Sequence, residues 1–172
     1  MAALNRSTEG AAMENNISDE EDKKVAILRS LPFFSSFNDQ ELLIILDMSK
    51  WLKFAPGDFV VKEGESENSF YIIMKGNVLI RKKVGVSNMK KTISHLKKGE
   101  CLGEMSLLTG QPRTADVIAE EETFLLKIDS YTLNGDTESF ELRSIQFKFY
   151  KKFSEILAQR LAQTNKIAVT PL

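Results

Sequence analysis

The sequence predicts a mainly β chain of the α+β class, in which short strands close into a sandwich, roll or barrel and helices flank them on both sides. Three observations predict it. Apolar residues recur at helical spacing towards both ends. Between Trp51 and Ile128 the period shortens to brief strand-like runs. Turn signals separate those runs at regular spacing. With 172 residues, 42% hydrophobic and 11 of them Phe, the chain is long and apolar enough to bury a real core.

The elements follow in chain order. Residues 1–17 carry few bulky apolar side chains, lack the apolar stretch of a signal peptide, and read as a disordered tail. Ser18 then precedes Asp19, Glu20, Glu21 and Asp22, a capping hydroxyl followed by acids at the positive end of a helix dipole. Val25, Ala26, Leu28 and Leu31 supply the apolar side of this helix and Pro32 ends it. A second helix starts at Asn38, where Asn38 and Glu41 have capping-box spacing ahead of Leu42, Leu43, Ile45 and Leu46. Strands are expected at Trp51–Phe54, Phe59–Lys62, Phe70–Met74, Val78–Lys82, Thr92–Leu96, Val117–Ala119 and Phe124–Ile128. Pro56-Gly57-Asp58, Glu63-Gly64-Glu65, Lys75-Gly76-Asn77, Lys98-Gly99 and Gly110-Gln111-Pro112 punctuate them. Leu142, Ile145, Phe149, Phe153, Ile156, Leu157 and Leu161 then form the stripe of a long amphipathic helix, which is expected to close the open face of the β block. One domain over 18–165 and a frayed tail over 166–172 complete the expected layout.

Bulk chemistry excludes several functions. A net charge of −1 argues against broad electrostatic binding to nucleic acid or to an anionic membrane, though not against a small local anion site. No apolar run reaches the ~18 residues of a membrane span, and a cytoplasmic protein is expected. His95 is the only histidine, so a His-based metal centre has no ligand set; no Ser/His/Asp set, Cys/His nucleophile pair or triphosphate loop is present. No enzyme, metal or cofactor is expected. His95 reads as a surface strand residue. Cys101, the single cysteine, reads as a small core residue or, on the less ordinary reading, as a reactive thiol.

The chemistry concentrates in Leu102-Gly103-Glu104-Met105-Ser106-Leu107-Leu108-Thr109-Gly110-Gln111-Pro112-Arg113-Thr114-Ala115-Asp116-Val117. Gly103 permits close backbone approach, and residues 104–108 can form one helical turn whose free N–H groups attract an anion. Pro112 stiffens the approach to Arg113, which supplies a permanent charge and a planar fork of donors. These parts make a compact phosphate cradle. Glu104 would repel a phosphate, but suits a sugar hydroxyl and could hold Arg113 in place.

At these residues the chain resembles the cyclic nucleotide-binding domain family. That family carries Gly-Glu-x-Ala/Ser-Leu, a short spacer, then Arg-Thr/Ser/Ala-Ala-x-Val; Gly103, Glu104, Ser106, Leu107, Arg113, Thr114, Ala115 and Val117 match it. A second signature appears as Val60-Val61, Gly64-Glu65, Phe70-Tyr71-Ile72-Ile73 and Gly76. The resemblance spans roughly residues 20–163 and implies an antiparallel β-roll or jelly roll (a double-stranded β-helix) between helices. It implies a site for cAMP or cGMP formed by Gly103, Glu104, Met105, Ser106, Arg113, Thr114 and Ala115. In that site Glu104 holds the ribose 2′-hydroxyl, Arg113 the cyclic phosphate, the backbone of Gly103 and Ser106 lines the cradle, and Thr114 adds a hydroxyl to the phosphate or a purine edge. Two positions depart from the pattern: Glu67 replaces a small residue, and Asp116 fills a slot often held by Thr or Ser. An Asp116 side chain facing Arg113 would weaken phosphate binding.

Plainer readings stand beside this one. Glu104 and Arg113 could form a structural salt bridge in a ligand-free roll that serves only as an interaction or dimerisation scaffold. Arg81, Lys82, Lys83, Lys90, Lys91, Lys97 and Lys98 flank one hairpin, either as a solvated face or as a docking surface for an acidic partner. Phe147, Phe149, Tyr150 and Phe153 either pack as core or act as a lid on the base or a dimer seam. The sequence shows no helix-turn-helix, kinase, cyclase or channel segment. Output is therefore expected through an effector protein or a homodimer at the C-terminal helix, with modulation of a DNA-binding partner as the weakest option.

Overall fold

The computed structural model describes residues 20–85 and 89–169. The expected tail over 1–17 and the Ser18 cap lie outside the described residues. The described residues fall into two compact units, divided between Asp47 and Met48.

In the first unit, residues 20–29 form helix α1. A 3-10 turn at Pro32–Phe34 follows, and then helix α2 at Asp39–Asp47. The capping box forms as its spacing predicts: the Asn38 N–H donates to Glu41 Oε2 at 2.8 Å, and the Glu41 N–H donates to Asn38 Oδ1 at 2.9 Å. Phe33, Phe34 and Phe37 are buried and meet edge to face, with ring centroids 5.1 and 5.7 Å apart.

The second unit is an antiparallel β-roll followed by helices. Its strands are β1 (Ser49–Phe54), β2 (Phe59–Val61), β3 (Ser69–Lys75), β4 (Asn77–Lys83), β5 (Lys90–Lys97), β6 (Cys101–Leu102), β7 (Asp116–Ala119) and β8 (Thr123–Asp129). They make two four-stranded sheets, in the orders β1-β8-β3-β6 and β2-β7-β4-β5. Every expected strand is present. Side-chain alternation aims Val61, Tyr71, Ile73, Val78, Leu96, Leu102, Val117 and Leu125 into one shared interior drawn from both sheets. Strand β3 is buried along nearly its whole length because its other side is also covered. There Phe70 meets Phe149 and Phe153 at 5.2 and 5.0 Å.

Those two rings belong to α5 (Phe140–Val169), which follows α3 (Glu104–Thr109) and α4 (Ser130–Asn134). The long helix thus closes over the roll as expected, and runs past the boundary foreseen at 165. The foreseen apolar stripe is only partly buried. Ile145, Phe149 and Phe153 are enclosed, but Leu161 is 63% exposed, because the contact with the roll ends before it. The aromatic group splits likewise: Phe149 and Phe153 are core, whereas Phe147 is 70% exposed and the Tyr150 hydroxyl donates to Asn134 Oδ1.

Candidate functional site

The backbone of Arg113 is clamped before its side chain is considered. Its N–H donates to the Glu65 carbonyl at 2.9 Å, and its carbonyl accepts from Gly64 at 2.8 Å. The turn between β2 and β3 therefore fixes where the side chain starts. That side chain runs inward: Arg113 is only 4% exposed. Its Nη2 donates to the Ser69 carbonyl at 2.6 Å and lies 3.5 Å from Glu67 Oε2. The guanidinium sits 5.7 Å from the centre of the Tyr71 ring. Nε and Nη1 are buried and have no hydrogen-bond partner. Buried donors of a charged group are costly when unmet, and most proteins avoid them.

Gly103 faces this guanidinium. It caps α3 with φ at +91°, in the left-handed region, and its N-terminal end carries no side-chain cap. A Cβ built on Gly103 would lie 2.5 Å from Arg113 Nη1 and 2.7 Å from the Ser69 carbonyl. The motif's glycine is thus what lets the α3 turn and the guanidinium approach each other. Ser106 and Ala115 are buried, while Met105 and Thr114 are exposed.

Glu104 is buried, but its partner is not Arg113, correcting that expectation. Arg160 of α5 donates from Nη1 to Glu104 Oε1, and from Nη2 to the Cys101 carbonyl at 2.7 Å. Arg160 gave no sequence signal: it lies on a polar stretch of a long helix, 56 positions from Glu104. Arg113 instead has Glu67, one of the two departures from the motif. Glu67 is shared: it accepts from the Tyr71 hydroxyl at 3.0 Å and pairs with Lys127 at 2.6 Å. Burial pushes the Glu67 carboxyl up, yet the bonds from Lys127 and Tyr71 outweigh it and hold it below the usual range. Asp116, the other departure, accepts from Lys90 at 2.6 Å and from the Glu63 N–H at 2.9 Å, so its charge is met away from the cradle.

The remaining candidates are structural. Cys101 is buried in β6, and burial together with the nearby Glu104 charge pushes its thiol up to about 12, which makes it a core residue and not a reactive one. His95 is exposed on β5 and meets Glu120 at 3.0 Å. Among the described residues no group of three or more His, Cys, Asp or Glu could hold a metal, and no helix is long and apolar enough to cross a membrane.

A family model described as "Cyclic nucleotide-binding domain" matches residues 51–135, the stretch holding both motifs and the whole cradle. The β block belongs to the cyclic nucleotide-binding domain family. Domains of this family are regulatory and not catalytic modules. Human cGMP-dependent protein kinase 2 is 29% identical over 140 residues, 81% of this chain and 18% of the kinase. The cyclic nucleotide-gated channel beta-3 of Canis lupus familiaris is 36% identical over 115 residues, 65% of this chain and 14% of the channel. The chain thus spans less than a fifth of the length of these relatives. Among solved structures, a cyclic nucleotide-binding domain from Methylobacillus flagellatus superposes with a TM-score of 0.74 at 19% identity, covering 90% of this chain and 85% of that one. The regulatory domain of Toxoplasma gondii PKA with cAMP gives 0.69 at 23%, covering 87% and 56%. These structures share the fold.

Proposed function

We propose that the chain binds a cyclic nucleotide, cAMP or cGMP, between the α3 turn and Arg113, and reports it through α5. The observation that carries this reading is the buried guanidinium of Arg113, whose Nε and Nη1 donors have no partner. A cyclic phosphate supplies the acceptors they lack, and the uncapped start of α3 adds backbone N–H groups beside Gly103. Glu104 takes the ribose 2′-hydroxyl on the carboxylate oxygen that Arg160 does not engage. Ser106 and Ala115 line the cradle, and the exposed Thr114 and Met105 are placed to meet the purine or the phosphate edge.

Reporting follows from the same contacts. Arg160 links the cradle directly to α5, so a ligand that alters the hydrogen bonding of Glu104 alters what holds the helix. The ligand shifts α5 only as far as it binds one arrangement better than the other. Phe140, Phe147 and Leu161 are exposed apolar side chains along that helix, suited to contact with an effector protein or a second copy of the chain. A cytoplasmic location fits a soluble second messenger.

Calorimetry with both nucleotides tests the reading. The chain binds at least one of them, and Arg113→Ala weakens binding by ~2–5 kcal/mol, about 30-fold or more. No heat with either nucleotide, or wild-type affinity in Arg113→Ala, would refute it. A ligand-free scaffold is the second reading. It is favoured by Glu104 already being engaged by Arg160, and Arg113 by the Ser69 carbonyl and Glu67. Self-association that depends on Phe147 and is indifferent to nucleotide would establish it.

A further inference from the structure

Glu67 puts a negative charge beside the one cation on which the cradle depends. It stands just before β3, with Oε2 at 3.5 Å from Arg113 Nη2, longer than a good hydrogen bond. Its firmer contacts are elsewhere. Lys127 of β8 reaches Oε1 at 2.6 Å, and the Tyr71 hydroxyl lies 3.1 and 3.0 Å from the two oxygens. Burial favours its protonated form, but these bonds prevail and the group stays ionised at neutral pH. Arg113 does not need Glu67 for its placement. Its backbone is bonded to Glu65 and Gly64, and Nη2 already donates to the Ser69 carbonyl at 2.6 Å. What remains of Glu67 at the cradle is its field. An anion on Nε and Nη1, the donors without a partner, shares one guanidinium with that carboxylate. The two negative charges then stand within about one screening length, ~8 Å, and burial of Arg113 weakens the screening between them. Lys127 also lies 3.4 Å from Asp129, so Arg113 and Lys127 balance Glu67 and Asp129. Removing the Glu67 charge leaves one positive charge in excess beside the anion.

We propose, on the reading that Arg113 receives the phosphate, that Glu67 is a charge filter which lowers affinity for a phosphate in step with the charge that phosphate carries. A cyclic phosphodiester carries one negative charge. A phosphomonoester, the form left when water opens the ring, has a second pKa of ~6 and carries about two charges at pH 8. Repulsion from a fixed charge grows with the product of the charges, so the monoester loses about twice as much free energy as the diester. The site therefore keeps the singly charged ring and turns away the opened nucleotide. A small residue at position 67 would leave the side of Arg113 and Lys127 positive and attractive to either phosphate. The departure from the motif at Glu67 thereby acquires a role in choosing the ligand.

Calorimetry of the full chain at pH 8 tests this, with cAMP against 5′-AMP and cGMP against 5′-GMP as the probes. Glu67→Gln keeps the shape and removes the charge. It should tighten the cyclic nucleotide about 10-fold and the 5′-monophosphate about 100-fold, for one unit charge acting at a dielectric between those of water and the interior. The preference for the ring over the opened form therefore narrows about 10-fold. Lys127→Gln removes the opposite charge from the same contact and should weaken both ligands, the monophosphate more. A change that merely loosened the structure would weaken binding in both variants. Thermal unfolding reports that each is folded, and the Lys127 variant carries the test if the Glu67 variant is not. Binding by the wild type with affinity unchanged or weakened in folded Glu67→Gln overturns the filter and leaves the nucleotide reading standing. So does a ring preference that fails to narrow. No heat from any of the four nucleotides, with wild type and variants alike, overturns both.

Discussion

Arg160 fastens the long C-terminal helix to Glu104, the first residue of α3, and to the Cys101 carbonyl just before it. The pair joins a part-exposed guanidinium to a carboxylate that is almost fully buried. Removing either partner is therefore unequal. Arg160→Ala strands a buried charge and costs ~1–3 kcal/mol, whereas Arg160→Ala with Glu104→Gln recovers much of the loss. Amide exchange should rise in the second half of α5 in the single variant and leave β3 and β8 unchanged. Additive losses in the double variant would show that the two side chains do not work as a pair.

Gly103→Ala tests the close approach on which the cradle is built. The added methyl meets Arg113 Nη1 and the Ser69 carbonyl at well under van der Waals distance, and φ at +91° is itself unfavourable for alanine. Strain at such a position costs ~1–3 kcal/mol. The denaturation midpoint should fall accordingly, and nucleotide affinity with it. Gly110→Ala is the control: it also has positive φ, but nothing lies within 4 Å of its Cβ position, so its loss should be smaller and confined to stability.

Arg113 should matter to ligand and little to fold. Its side chain is buried with two donors unmet, a costly arrangement in the absence of an anion. Arg113→Met keeps most of the volume without the charge. Its melting temperature should stay within a few degrees of the wild type, since replacing a poorly met buried charge by an apolar side chain is often neutral. The stabilisation by nucleotide, ~2.7 kcal/mol at 100 times the dissociation constant, should vanish. A variant that unfolds outright would make Arg113 a structural residue.

The strands and the cradle were legible because local patterns set them. Alternation between turn signals marks β3 and β8, and the Gly103-Glu104 to Arg113 spacing marks the turn and its facing guanidinium. Strand β6 escaped because two residues, Cys101 and Leu102, cannot show a period, and α4 is too short for one as well. Partners across the fold were illegible. Glu104 was paired in expectation with Arg113, a near neighbour, but found Arg160; Glu67 looked like a mismatch and became the counter-charge of Arg113. The first depends on where α5 comes to rest, the second on how the segments before β3 and β7 meet. The apolar spacing of α5 gave its packed side correctly up to Phe153 and misplaced Leu161, because spacing says nothing about where the partner surface ends.

That packed side gives a sharp contrast between neighbours two positions apart. Phe149 is fully buried against Phe70 and Phe153, and Phe147 is mostly in water. Phe149→Ala should cost ~3–5 kcal/mol. Phe147→Ser should change stability by less than ~0.5 kcal/mol, as exposed substitutions do. If Phe147→Ser destabilises the chain and the loss depends on protein concentration, the exposed apolar side chains of α5 lie in an interface between copies.

Acid stability follows from three carboxylates. The Ser69 hydroxyl, 2.6 Å away, holds Asp129 low, aided by Lys127 against burial. Burial pushes Asp116 and Glu67 up, but Lys90 and the Glu63 N–H for the first, and Lys127 and Tyr71 for the second, bring both below their ordinary values. A carboxyl with a lowered folded pKa binds its proton more readily in the unfolded chain. Its contribution is therefore complete above the unfolded value, about pH 4, and is lost as pH falls through the folded value. At the alkaline side the Tyr71 hydroxyl is raised, by burial first and then by Glu67, so its contribution holds below about pH 10 and is lost above. Denaturant midpoints should be flat from about pH 5 to 9 and fall steeply below 4. In Glu67→Gln with Asp129→Asn the acid limb should become shallower, whereas Tyr71→Phe should flatten the alkaline limb and soften the acid limb only slightly, because Lys127 still holds Glu67 low. An acid limb unchanged in the double variant would mean that these carboxylates titrate alike folded and unfolded, and that the ion pairs around Lys127 contribute nothing to stability.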